Sequence, residues 1–484
     1  MHATERKNII AVFQITQPFS CKAEKFVHMP AFQYDYPKNG SHVSRSSSGL
    51  WLTAARLRQC NTGTNPVNPK NKGYAMNRML FMLTVLSTLA LASAGFAADW
   101  VSLTPDNTLD GWRVLGGEWS VSEEGVITGR AAKDENCWLL YEKEEFYNFE
   151  ISFDFRTPSP TNGGVQLRSH WLQRMPLEEG EDVHTAPRQM YGYQANIETR
   201  KRTGTGVIMD ENGRGYLVEP SADAVKTLKQ RDWNTMRVSA QGNVLEVYLH
   251  DVLAARIEDE AFISGFIALQ LFPYEATDDF TEIEYRNVQI RDFGREGDWR
   301  ALFDGSTFEG WKEWGSEKWS IEDGVIWGNS GPKRSEGYLA TEEIFKDFRI
   351  RGSFNMTGDG NYGLFYHSTI KLREEDGYPL ISGLQGEVDP GYPGPSGWVY
   401  ESYKRGWLVK PDPTTMESVA LRPGTWNTIE IRSEGKHVTT WINGIRVLDL
   451  EDEGQVLTEG FFALQLHTGG ADGIGWKDIY LLNP

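Results

Sequence analysis

Between residues 99 and 484, apolar and polar positions trade places with a period of two. Phe149, Ile151, Phe153 and Phe155 alternate with Glu150, Ser152, Asp154 and Arg156. Ile429 and Ile431 alternate with Thr428, Glu430 and Arg432. That spacing puts one apolar face on each segment and predicts half-buried antiparallel strands. Asn443-Gly444 is the strongest hairpin signal in the chain. Short strands parted by Gly, Asn and Asp predict a β-sandwich rather than a helical or α/β fold.

The pattern also repeats on a longer scale. Asp110-Gly111-Trp112 is answered by Glu309-Gly310-Trp311, and Glu124-Gly125-Val126-Ile127 by Asp323-Gly324-Val325-Ile326. Asn162-Gly163-Gly164 is answered by Asn361-Tyr362-Gly363, and Trp233-Asn234-Thr235 by Trp426-Asn427-Thr428. Phe266-Ile267-Ala268-Leu269-Gln270 is answered by Phe461-Phe462-Ala463-Leu464-Gln465. Matches in one order at similar spacing predict two copies of one domain, over 98–293 and 298–484. The seam between them, Gly294 to Asp298, is short and charged.

Charge separates the first hundred residues from the rest. Residues 1–97 hold 11 of the 49 Lys and Arg but 3 of the 67 Asp and Glu, which leaves the remainder near −26. Such acidity makes a nucleic-acid partner unexpected. Within the basic stretch, Met76-Asn77-Arg78 precedes an apolar run from Leu80 to Ala92, and Ser93-Ala94-Gly95-Phe96-Ala97 ends in small residues. This reads as a signal peptide over 76–97, cleaved after Ala97, so the mature chain is expected to be secreted or periplasmic and to meet a membrane only during export. The run is short for a membrane span. Residues 1–75 are polar, basic and without a period, as expected of a disordered or untranslated extension. Cys137 alone falls in the mature part, which leaves no intrachain disulfide there.

Candidate chemistry lies in the middle of each copy. Gln194, Asn196 and Glu198 share one strand face opposite Tyr193, Ala195 and Ile197. Gln385, Glu387 and Asp389 share the matching face opposite Leu384 and Val388. A row of polar side chains backed by an apolar face suits a sugar-binding floor, and a solvated strand face gives the same alternation. Next, Asp210 and Arg214 align with Glu401 and Arg405, the latter among Trp398, Tyr400 and Trp407. Rings stack on pyranose C–H groups and charged groups orient hydroxyls. A loop ion pair is the plainer reading of the same residues. On the preceding strand, Arg168 of the first copy aligns with His367 of the second. Either can stabilise an oxyanion, and histidine exchanges a proton near neutral pH.

These motifs together, D/N-G-W, W-x-[VI]-x-[DE]-G-V-I, N-x-G-[VI]-x-x-R, a G-Y-Q-A-D-I-like strand, D-E-x-G-R-G and W-N-x-[MY], resemble the 3-keto-disaccharide hydrolase domain. The resemblance covers 99–484 in both copies. It implies a concanavalin A-like jelly-roll sandwich in each copy and a carbohydrate substrate. It also implies hydrolysis of 3-keto-glycosides by C2 proton abstraction, elimination and rehydration. The base, oxyanion and acid roles then fall on Glu387, His367, Glu401 and Arg405. Gln385, Asp389, Trp398, Tyr400, Arg168, Gln194, Asn196, Glu198, Asp210 and Arg214 are then expected to bind substrate. The first copy carries Asn196 where the pattern has an acid, and the second carries His367 where it has Arg. Either copy can therefore serve as support or as a non-catalytic glycan-binding module, and a cell-surface scaffold is a third reading. No phosphate loop, H-E-x-x-H or nucleophile elbow occurs. No cofactor is expected; the acid-rich stretch Glu178 to Asp182 suits calcium or plain solvation.

Overall fold

The computed structural model describes residues 98–483 apart from 134, 201–203, 274–279, 332–335 and 468–472. The signal-peptide and extension readings, with Cys21 and Cys60, lie outside the described residues. The described chain is almost entirely strand. Each copy packs one antiparallel sheet of eight strands against one of seven. The sequence alternation is what builds this: Phe149, Ile151, Phe153 and Phe155 are at most 1% exposed, on the inner face of an eight-stranded sheet. Each such side chain contributes roughly 1.5–3 kcal/mol on burial.

The seven-stranded sheets matter most for function. In the first copy the order runs Gly215–Val218, Ile208–Glu211, Arg188–Glu198, Asn162–Gln173, Gly265–Phe272, Cys137–Phe146, Trp112–Leu115. In the second it runs Gly406–Trp407, Val399–Ser402, Pro379–Val388, Tyr362–Leu372, Phe461–Leu466, Gly337–Thr341, Trp311–Gly315. The two orders match strand for strand, as expected of a duplication. Both sheets also carry a bulge at the same place. It puts Arg168 at φ 47 and His367 at φ 46, a left-handed conformation in which a non-glycine residue is uncommon.

Among the described residues no strand of one copy joins a sheet of the other. Among the described residues one isolated bridge, Phe262 to Ile445, joins the two, and Trp441, fully buried, donates its Nε1–H to Glu260 O at 2.9 Å. The charged seam is not left in solvent. Arg295 pairs with Glu430 at 2.6 Å and lies 3.5 Å over the Tyr147 ring. Cys137 is buried, and that burial pushes its thiol up to about 12. Among the described residues no helix is long and apolar enough to cross a membrane.

Candidate functional site

In the first copy, Tyr193, Ala195 and Ile197 fill the core between the sheets. Their neighbours Gln194, Asn196 and Glu198 therefore point to the outer face of the seven-stranded sheet. There the amides form a head-to-tail relay. Ser169 Oγ donates to Gln166 Oε1 at 3.1 Å, and Gln166 Nε2 donates to Gln194 Oε1. Gln194 Nε2 donates to Asn196 Oδ1 at 2.9 Å, and Asn196 Nδ2 to Gly204 O at 2.9 Å. Gly164 lies opposite Asn196, and a Cβ there would stand 2.8 Å from Gln194 Nε2. The glycine shared by both repeats is thus the space in which the floor amide lies. Glu198 is clasped by Arg200 at 2.8 Å and Asn162 at 3.1 Å. Burial opposes its charge, but these hydrogen bonds win and hold its carboxyl below the usual range.

The second copy keeps the layout and changes the chemistry. Gln385 Nε2 donates to Glu387 Oε2 and to Gln465 Oε1, both at 2.9 Å. Asn361 Nδ2 donates to Glu387 Oε1, and to Asp389 Oδ2 at 3.1 Å. Burial, reinforced by the negative charge of Asp389 and opposed by the Asn361 hydrogen bond, pushes Glu387 up to about 8. A Cβ at Gly363 would stand 2.5 Å from Gln385 Nε2, the same constraint as at Gly164. Beside this floor, Tyr338 pairs in register with Gln465 and donates its hydroxyl to Glu336 Oε2 at 2.6 Å. His467 Nε2 lies 3.7 Å from Glu336 Oε1.

The remaining sequence candidates fall elsewhere. Asp210 stands opposite Tyr193 and Glu401 opposite Leu384, so both point to the inner face of the sheet. Arg214 bridges Asp210 and Asp259, each at 2.6 Å. Arg405 bridges Glu401 and Asp452, the latter at 2.6 Å. Asp210 therefore does not join Gln194 and Asn196 on the outer face, nor Glu401 Gln385 and Glu387; one residue of strand register separates the two faces. The bulge turns Arg168 and His367 away from the floor as well. Arg168 donates to the carbonyls of Tyr147 at 2.8 Å and Gly242 at 2.9 Å. His367 Nε2 meets Lys346 O at 2.6 Å and its Nδ1 meets Gln455 Nε2 at 2.8 Å; burial lowers its pKa. Trp398 packs in the core. Tyr400 stays on the outer face, opposite Gln385, and meets Trp407 edge to face at 5.3 Å.

Sequence reasoning passed over Gln270, Gln465, Glu211 and Glu336 as site residues. Gln270 donates to Glu211 Oε1 at 3.2 Å and Asn136 Oδ1 at 3.1 Å, and burial pushes Glu211 up to about 7. The signal was present: both copies carry Gln at one position of an otherwise apolar repeat strand. Of the calcium candidates, Glu178 and Glu181 are each bound by Arg174 at 2.7 Å. Among the described residues no group of three or more His, Cys, Asp or Glu is placed to hold a metal.

Each copy is thus an antiparallel sandwich with a buried polar floor on the outer face of its seven-stranded sheet. The chain belongs to the 3-keto-alpha-glucoside-1,2-lyase-like domain family, whose model matches residues 99–291 and again 298–482. A 3-keto-disaccharide hydrolase of Bacteroides thetaiotaomicron is 34% identical over 94 residues, 17% of this chain and 32% of that protein. The chain thus spans about a third of the length of that relative. Among solved structures, a carbohydrate-binding module from Bacillus subtilis is 19% identical with a TM-score of 0.28, covering 38% of this chain and 96% of that one. A Bacillus subtilis protein with a galectin-like fold is 15% identical with a TM-score of 0.30, covering 38% and 94%.

Proposed function

We propose that the chain is an exported enzyme that cleaves 3-keto-glycosides on the outer face of its second copy. The observation that carries this reading is Glu387: a carboxyl buried on a strand floor, held by two amide donors, with its pKa moved up to about 8. A group that titrates near the working pH is suited to moving a proton. A ketone at C3 of a sugar acidifies the C2 proton. Glu387, as carboxylate, takes that proton. The electron pair becomes an enolate, whose C3 oxygen is met by the Gln465 amide nitrogen; the oxygen of that amide already accepts from Gln385. The enolate then expels the C1 substituent, and the Tyr338–Glu336–His467 group on the adjoining strands protonates the departing oxygen. Water adds to C1 of the resulting enone as a proton returns to C2, so the net reaction is hydrolysis.

The first copy suits glycan binding without turnover, because Asn196 stands where Glu387 does and its amide is already tied to Gly204. The test is incubation of the mature protein with a 3-keto-disaccharide and with the unoxidised sugar. Cleavage of the keto sugar alone is expected; equal cleavage of both, or of neither, refutes the reading. Export is checked by N-terminal sequencing of the secreted protein, which should begin at Ala98, whereas an intact residue 1 would exclude it.

A further inference from the structure

The edge of the first copy's outer face carries a second cleft that the chemistry above does not use. Its floor is Leu140, Trp171 and Phe266, which share an apolar cluster with Trp138. Trp138 and Trp171 meet edge to face with ring centres 5.5 Å apart. The opposite wall comes from the second copy, through Tyr392, Leu421 and Pro423. The cavity measures about 280 Å³. That is just below the roughly 300–1,000 Å³ of small-molecule pockets, and suits a single sugar ring.

The first copy holds this borrowed wall in place. His170 is wholly buried, and burial together with the charge of Arg422 lowers its pKa to about 3, so the ring is neutral. Its Nε2–H donates to Ser264 O at 3.0 Å, which leaves Nδ1 to accept from Arg422 Nη2 at 3.3 Å. Arg422 also pairs with Glu145 and lies 5.4 Å over the Phe266 ring. At the rim, the Gln173 amide meets Tyr392 Oη at 2.5 Å; with its nitrogen turned to that hydroxyl, its oxygen accepts from Arg188 at 3.2 and 3.3 Å. Arg113 and Glu142 form an ion pair at 3.1 Å, both about half exposed.

We propose that this cleft is a pyranose subsite for a neutral glycan chain, complete only when the two copies stand together. Trp171, Phe266 and Tyr392 offer ring faces to sugar C–H groups, while Arg113, Glu142 and Arg188 offer hydrogen bonds to hydroxyls. Of the three arginines in the lining, Arg113 and Arg422 are already balanced by Glu142 and Glu145, and Arg188 stands at the rim against the Gln173 amide, so most of the cleft's charge is cancelled before a ligand arrives, which suits an uncharged ring. The inference rests on the carbohydrate reading above, but it concerns binding of unoxidised sugar, so the two fail separately.

The test uses the full chain carrying Glu387→Gln, titrated by calorimetry with α- and β-linked glucose tetrasaccharides. At least one should bind. Trp171→Ala and Tyr392→Ala should each weaken that binding about tenfold, and Tyr392→Phe, which keeps the ring, by less than about threefold. Trp171→Phe keeps an aromatic floor, so it should still bind but lose the ligand-induced change in tryptophan emission. If neither tetrasaccharide binds, or if binding ignores both Trp171 and Tyr392, the subsite is overturned. Tetrasaccharide binding that depends on Trp171, found while the parent chain with Glu387 in place fails to cleave a 3-keto-disaccharide, supports the subsite and removes only the reaction.

Discussion

Gln385 and Glu387 stand two residues apart on one strand and touch, Nε2 to Oε2 at 2.9 Å. Gln194 and Asn196 make the equivalent contact at the same 2.9 Å in the first copy. An amide or an acid at this position can therefore accept the strand-neighbour's hydrogen bond, but only the acid titrates and only the acid can also accept from Asn361. Glu387→Gln should keep the Gln385 hydrogen bond, lose the one from Asn361, and lower kcat on a 3-keto-disaccharide by about 10²–10⁴-fold, the usual loss on removing a general base. Glu198→Gln removes a carboxylate committed to Arg200 and Asn162 and should change kcat little. Steady-state kinetics on both variants separates the roles; the reverse outcome moves the reaction to the first copy.

The pH profile follows from why Glu387 titrates high. Burial raises its pKa from 4.5 to about 8, and the charge of Asp389 adds to the rise. A base works deprotonated, so kcat/KM should climb about tenfold per pH unit below pH 8 and level off above it. Asp389→Asn removes the neighbouring charge and should move the limb to lower pH. A profile that falls through the same range would make Glu387 the acid instead of the base.

The sandwich was legible because period-two alternation and the internal repeat are direct records of burial on one face. Gln194, Asn196, Gln385 and Glu387 were legible for the same reason. Arg168, His367, Asp210 and Glu401 were not. Alternation counts residues along a regular strand, and the bulges at 168 and 367 break that count. Asp210 and Glu401 follow loops whose length does not fix their register, so which of Asp210 or Glu211 faces the floor depends on pairing with Gly192 and Tyr193. Gln270 and Gln465 were visible as repeats but gained meaning only once their strands were seen beside the floor.

Glu401 gives a check on this distinction between faces. It is 3% exposed and engaged by Arg405 and by Lys404 at 3.6 Å, on the inner face of the sheet. Glu401→Gln leaves Arg405 with Asp452 but removes a charge-assisted hydrogen bond of about 1.5–3 kcal/mol. The variant should melt several degrees lower while kcat for folded protein stays close to that of the parent. A large loss of kcat at unchanged melting temperature would return Glu401 to the reaction.

The last prediction concerns the two copies as folding units. Each has its own pair of complete sheets, and no strand is exchanged between them. We therefore expect 98–293 and 298–484, expressed separately, each to melt cooperatively. They should not be as stable apart as together. Residues 261–263 run beside 444–446, with Ile263 N donating to Gly444 O and Arg446 N to Ala261 O, each at 2.8 Å. Arg432 reaches across to Glu260 at 2.6 Å. Phe262, Trp441 and Ile445, at most 1% exposed in the whole chain, lose cover when the copies part. At about 25 cal/mol per Å² of apolar surface, re-covering them favours reassociation. Mixed halves should then sediment as a one-to-one complex that melts above either half, and Arg422→Ala, which cuts the second copy's tie to Glu145 and His170, should weaken that complex. Halves that fail to fold alone would show that the two sandwiches are one cooperative unit despite their separate sheets.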